Sequence, residues 1–274
     1  MRAISLHPDV IVVTSALLQV NCVIVRGRGG AEVGELAVAP AETFVIDSPV
    51  LPEELDALPA LVEQARFPAP SGLLATHGDW DHLLGRLAFA ELPLGCAQST
   101  VERLRDAPGA AQRELRAFDE ELMIDRPRPL SLGSVQELPV PGRCELGGGE
   151  LELHPTQGHT VDGMAVVIPW AKVLLAGDYC SGVEIPALAD DGSSQLEAYL
   201  ATLERLEGLI DACEQVVPGH GPILRAADAL EVVTEDRTYL QALRELGAEA
   251  QLPAARRTRA QQRVHAENAA ALTR

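Results

Sequence analysis

Basic residues are scarce in this chain, and lysine is nearly missing. Lys172 is the only lysine, and 22 lysines and arginines face 40 aspartates and glutamates for a formal charge of −18 at neutral pH. Phosphate backbones are bound by clustered Lys and Arg that release counterions, so this balance argues against a nucleic-acid partner. Long apolar runs are missing too. Residues 10–13 form a short one, and the stretch 161–171 is broken by Asp162, Gly163 and Pro169, far below the roughly 20 residues of a membrane helix. No CxxC pair occurs among Cys22, Cys96, Cys144, Cys180 and Cys213. An odd number cannot pair completely within one chain, so all five read as free thiols. The first residues lack the charged start, apolar stretch and small-residue cleavage site of a secretory signal, which leaves the cytoplasm as the expected location.

What remains is ordinary globular material: 274 residues, 47% hydrophobic and 23% charged, enough to bury a large core. With no low-complexity linker or short repeat, the chain reads as a single domain over residues 1–274. Strand patterns at 10–14, 21–26 and 43–47 surround a Gly-rich turn through Gly27, Gly29, Gly30 and Gly34. Leu55, Leu58, Leu61 and Val62 then recur at helical spacing behind Glu53 and Glu54, which predicts a helix over 52–65. A short buried strand follows at 73–76, then helical patterns at 81–89, 100–105 and 109–123. The second half repeats the order, with strands at 135–138, 151–154, 165–168 and 173–176, a helix at 195–210 and a strand at 215–217. Terminal helices at 226–246 and 253–271 close the chain. Two β-rich blocks, each followed by helices, predict an α/β fold of two face-to-face sheets with helices outside.

The chemistry concentrates in Thr76-His77-Gly78-Asp79-Trp80-Asp81-His82, where His77, Asp79, Asp81 and His82 put four potential ligands into six residues. Three further segments, Gly158-His159-Thr160, Gly177-Asp178 and Pro218-Gly219-His220-Gly221, set a ligand type beside glycine after an apolar strand. Strand ends of that kind can converge on one rim. Residues i and i+2 of an extended segment share a face, so His77 and Asp79 suit one ion, while Asp81 and His82 would face a second. Imidazole and carboxylate without thiolate suit Zn, Fe or Mn in an open, catalytic centre better than in a closed structural one.

These seven residues resemble the metallo-β-lactamase superfamily, whose signature is HxHxDH followed by His, Asp and His. The resemblance runs over about residues 10–224 and implies a four-layer αββα sandwich with two divalent metal ions at one edge, zinc foremost. It implies that His77, Asp79 and His159 hold one metal, that Asp81, His82 and His220 hold the other, and that Asp178 bridges them. Asp47 resembles the acidic residue many members place behind the metals. Asp79 stands where the superfamily usually has a second His. Its added negative charge favours harder ions such as Fe or Mn; it binds directly, through water, or only as a hydrogen-bond acceptor behind the metal.

The implied activity is hydrolysis of a small-molecule ester, thioester or lactone through a metal-bound hydroxide, with Asp81 orienting the attacking water. Two other readings stand beside it: an iron-dependent oxidoreductase similar to persulfide dioxygenases or flavodiiron enzymes, and a non-catalytic protein whose metals only brace a binding rim. Tyr179, next to Asp178, reads as a residue behind the ligands or lining the pocket, and Cys180 as an ordinary wall residue rather than a nucleophilic thiol, because no general base sits nearby in sequence. Trp80 reads as packing, and His7, His154 and His265 as ordinary surface or core histidines. Arg256, Arg257, Arg259 and Arg263 read as a solvated helix face or as partners of this acidic surface, with a contact in a homo-oligomer as a further reading. Glu184, Asp190 and Asp191 would disfavour strongly anionic substrates if their loop overhangs the metals.

Overall fold

The computed structural model describes residues 1–30, 39–188 and 192–273, without the side chains of 192 and 193. Gly34, Asp190 and Asp191 lie outside the described residues.

The first sheet holds seven strands in chain order: β1 (Arg2–His7), β2 (Val10–Thr14), β3 (Asn21–Gly27), β4 (Glu42–Ile46), β5 (Gly72–Leu74), β6 (Leu94–Ala97) and β7 (Val135–Leu138). The second runs β13 (Leu224–Arg225), β12 (Gln215–Pro218), β11 (Val173–Gly177), β10 (Met164–Ile168), β9 (Gly149–Pro155), β8 (Gly142–Leu146). Strands β3, β10 and β11 are almost continuously apolar because both of their faces are covered. Val12, Val23, Ile46, Leu153, Val166 and Leu175 fill the space between the sheets.

Helices close both outer faces. Leu55, Leu58 and Val62 of α1 (Pro52–Gln64) pack with Val45 and Leu73, and α2 (Gly85–Ala88), α3 (Gln98–Asp106) and α4 (Ala110–Leu122) share that layer. On the far side, Leu203, Leu206 and Ile210 of α5 (Gly192–Ile210) and Val233 and Leu240 of α6 (Ala226–Leu246) cover Leu174 and Val216. The last helix, α7 (Arg259–Ala271), adds Val264 and Ala269. This is the expected αββα sandwich. No helix among the described residues is long and apolar enough to cross a membrane.

Two parallel pairings matter for the site. Ile46 of β4 pairs with Leu74 of β5, and Gly177 of β11 pairs with Pro218 of β12. The segments leaving these four strands therefore emerge side by side at one rim. The sheets are stitched together there: the Asn21 amide donates to the Gly219 carbonyl (2.8 Å), and the Met164 amide to the Thr76 carbonyl (2.7 Å).

Strands β1, β6, β8 and β13 go beyond the expected elements. The first is an edge strand in which half-buried Ile4 and Leu6 alternate with exposed Ala3 and Ser5, and β6 is a four-residue LGCA segment, so each offers too short a pattern to stand out. The expected helix at 81–89 is instead a 3-10 turn at Trp80–His82 followed by the one-turn α2. The last helix begins at Arg259 rather than at 253: Thr258 caps it by accepting the Gln261 amide, and ahead of that cap Arg256 is drawn inward. Its side chain is 1% exposed. It pairs with Asp236 and Glu235 and donates to the Ser181 and Glu184 carbonyls at 3.2 and 2.8 Å. At Arg256 the solvated-face reading therefore fails and the acidic-pairing reading holds, with the pairing buried, while the guanidinium of Arg257 stays exposed. Removing one member of a buried ion pair strands the other. Arg256→Ala is therefore expected to cost about 3–5 kcal/mol and Arg257→Ala less than about 0.5 kcal/mol, read as midpoints of urea unfolding.

Candidate metal centre

The seven candidate ligands meet at the rim where β5, β9, β11 and β12 end. His77 and Asp79 follow β5, Asp81 and His82 lie in the 3-10 turn, His159 follows β9, Asp178 follows β11 and His220 follows β12. Crowding there explains two of the flanking glycines. A Cβ on Gly219 would lie 1.9 Å from Asp178 Oδ1, and one on Gly158 would lie 2.3 Å from the Tyr199 Cα.

The donors sort into two sets. In the first, Asp79 Oδ2 lies 3.5 Å from His77 Nε2 and 3.4 Å from His159 Nε2. In the second, His220 Nε2 lies 3.4 Å from Asp81 Oδ2 and 3.4 Å from His82 Nε2. Asp178 reaches both: its Oδ2 is 3.7 Å from His77, 3.2 Å from His159 and 3.4 Å from His220, and its Oδ1 is 3.2 Å from His82. Most of these gaps are long for hydrogen bonds. They match instead the edges of a coordination polyhedron, since two ligands about 2.1 Å from one ion at a tetrahedral angle stand about 3.4 Å apart. His77 Nε2, His159 Nε2 and Asp178 Oδ1 are buried without a hydrogen-bond partner, which is costly unless a cation receives them. The residues present thus fit a pair of divalent cations.

Three of the imidazoles have a polar group behind Nδ1, a hydrogen bond for His77 and His220 and an ion-pair contact for His82, so that Nε2 faces inward. His77 Nδ1 lies 3.1 Å from Thr76 Oγ1, His220 Nδ1 lies 3.0 Å from the Leu18 carbonyl, and His82 Nδ1 lies 3.0 Å from Asp47 Oδ2. Backing of this kind sets tautomer and ring orientation at metal sites. Asp47 is itself held by the Thr76 amide (2.8 Å) and hydroxyl (2.9 Å). It adopts φ 56°, a left-handed conformation uncommon for a residue with a side chain.

The electrostatics call for positive charge. Burial opposes ionisation of Asp178, yet His220, His82, His77 and His159 hold its carboxyl well below the usual range. Burial likewise works against the Asp79 carboxylate, and the facing His159 and His77 override it. Burial alone would push the imidazolium pKa values down. Asp178 above all pulls those of His82 and His220 well up, and with Asp79 it raises that of His159 to about 10. The carboxylates thus favour positive charge among these imidazoles.

Around this cluster, the Tyr179 hydroxyl accepts the His159 amide at 3.0 Å, and its ring packs against Tyr199. Tyr179 is thus a buried prop for the His159 backbone rather than an open pocket wall. Trp80 packs on Phe118. Cys180 is buried, and burial pushes its thiol up and away from nucleophilic ionisation. His265 lies elsewhere, bonded to Tyr239 and the Ala248 carbonyl. Glu184 brings Oε1 to 3.7 Å from His220 Nδ1. Two participants went unnoticed in the sequence: Arg103 of α3 bonds Asp79 Oδ1 and Asp162 Oδ1, and Asp162 Oδ2 accepts the Gly78 amide. Asp162 stands three residues after His159 in GHTVDG, but nothing around Arg103 marks it out.

The family model of the metallo-beta-lactamase superfamily matches residues 52–220, more than half of the chain. The chain belongs to the metallo-beta-lactamase superfamily. Several solved structures share its fold. The metallo-beta-lactamase family protein TTHA1429 from Thermus thermophilus is 18% identical with a TM-score of 0.67, over 98% of this chain and 93% of that one. The inverting sec-alkylsulfatase Pisa1 from Pseudomonas sp. is 15% identical with a TM-score of 0.69, over 99% of this chain and 49% of that one. TTHA1623, in a di-iron-bound form, is 22% identical with a TM-score of 0.53, over 81% and 97%. No curated protein matches the chain.

Proposed function

We propose that this superfamily member is a metal-dependent hydrolase acting on a small ester, thioester or lactone. The observation that carries this reading is Asp178, which stands between two inward-facing donor sets and reaches both. His77, Asp79 and His159 would hold one cation and Asp81, His82 and His220 the other. Two cations there would supply a Lewis acid for the developing oxyanion and a nucleophile from water at neutral pH. Asp81, through a carboxylate oxygen, orients the attacking water, takes its proton and returns it to the leaving group. No serine or cysteine nucleophile is required, in keeping with the buried Cys180.

A carbonyl substrate is favoured over a strongly anionic one because the Glu184 carboxylate, 3.7 Å from His220 Nδ1, adds negative charge close behind this donor set. The exposed Leu18 and Val161 lie on the loops that meet His220 and carry His159, which suits an apolar acyl group. The test is turnover on a panel of esters, thioesters, lactones and phosphodiesters, with the protein loaded with zinc, manganese or iron. Hydrolysis of at least one carbonyl class is expected, and no turnover with any metal would overturn the proposal. Asp79 motivates a second reading, an iron-dependent oxidoreductase, which requires oxygen consumption by the Fe(II)-loaded protein with a persulfide or a reductant.

Asp47 provides a local check. If it orients His82, Asp47→Ala should weaken binding of the second cation roughly 10–100-fold and leave the first unchanged, as read by competition with a chelator.

A further inference from the structure

We propose that Arg103 is the positioning residue that makes Asp79 a working substitute for a histidine ligand at the first cation site. The proposal rests on the metal-centre reading above and adds to it a residue outside the ligand motif.

Asp is shorter than His and has two equivalent oxygens, so at a histidine's place it could swing away or bind through either oxygen. Arg103 removes that freedom. Its Nη2 donates to Asp79 Oδ1 at 2.7 Å. That leaves Oδ2 as the oxygen facing His77 Nε2 and His159 Nε2. The guanidinium is planar, so fixing its other prong fixes this one. Nη1 donates to Asp162 Oδ1 at 2.9 Å, and the Asp162 side chain is fully buried. Asp162 Oδ2 in turn accepts the amide of Gly78, the residue between the two ligands His77 and Asp79, at 2.9 Å. Arg103 and Asp162 thus grip the ligand loop by a side chain and by its backbone. The grip is close: a Cβ on Gly78 would lie 3.2 Å from Asp162 Oδ2 and 3.3 Å from Arg103 Nη1.

The same bond acts on charge. A carboxylate at this place makes the first donor set one unit more negative than an imidazole would. Arg103 draws on the oxygen turned away from the set and offsets part of that excess. The preference for harder ions expected from Asp79 alone is therefore weakened, and zinc remains suited to the site.

The experiment compares wild type, Arg103→Gln, Arg103→Lys, Asp79→His and the double variant Arg103→Gln/Asp79→His. Zinc affinity at each site is measured by chelator competition, and the visible spectrum of the Co(II)-loaded proteins serves as a reporter of the first site. Arg103→Gln should lower first-site affinity roughly 10–100-fold, leave the second site in place and alter the Co(II) spectrum. In the Asp79→His background the same change should cost nothing, because an imidazole needs no guanidinium behind it. Arg103→Lys keeps a positive charge beside Asp162 and so spares the fold, yet it lacks the fork and should still weaken the first site. Equal losses at both sites, or equal losses with Asp79 and with His at that position, would mean a merely structural ion pair and would overturn the proposal. Wild type binding two cations with Arg103 variants unaffected overturns it while the metal centre stands. Wild type binding no cation removes both.

Discussion

Asp178→Ala is expected to lower turnover by on the order of 10³-fold or more, the scale of removing one preorganised electrostatic element from a catalytic site. Asp178 faces all four histidines of the cluster, at 3.2 to 3.7 Å, so no single set can compensate for its loss. Bound cation should fall below two equivalents in the same variant. The far-UV circular dichroism should stay that of wild type, because Asp178 lies at the rim beyond β11, outside the apolar layer of Val166, Leu175 and Val217 between the sheets. A folded Asp178→Ala protein with wild-type turnover would contradict the assignment of the shared carboxylate.

The second large effect concerns the metal-free protein. His159 has its pKa raised from 6.5 to about 10, and those of His82 and His220 are raised well above 6.5, by carboxylates that would otherwise face metal. Between pH 6.5 and about 10 the folded state thus binds more protons than the unfolded chain. With the unfolded state binding fewer, stability falls as pH rises. The contribution is fully present below about 6.5 and lost as pH climbs through the folded value. Cations replace those protons, so the loaded protein should lack this decline, and loading at 100 times the dissociation constant should add about 2.7 kcal/mol. Urea midpoints of chelated and loaded protein at pH 6, 8 and 10 check both points. Parallel pH profiles for the two forms would show that the cluster does not exchange protons for cations.

How much of this was legible in the sequence depended on whether the signal was local. The candidate ligands His77, Asp79, Asp81 and His82 stand within one short segment, and His159 and His220 each carry a glycine in front. Crowding at Gly219 and Gly158 gives that pairing its physical cause. The sandwich was legible because β3, β10 and β11 are apolar on both faces and α1 carries a helical stripe. Arg103 was not legible. It sits 24 residues after Asp79 on a polar helix, and only the fold turns its guanidinium toward the ligand loop. For Arg256 the acidic partner was legible but its burial was not: three nearby arginines suggest a solvated face, while the burial depends on Asp236, 20 residues earlier in α6. Strands β1 and β6 were missed because two half-buried apolar residues on an edge strand and a four-residue segment make patterns too short to stand out.

The most direct test of the central claim is an anomalous difference map from crystals grown with zinc. The account predicts two peaks at the rim. One lies among His77, Asp79 and His159, the other among Asp81, His82 and His220, and both are within bonding distance of Asp178. Zinc bound only elsewhere on the molecule, with these seven side chains turned from any ion, would contradict it.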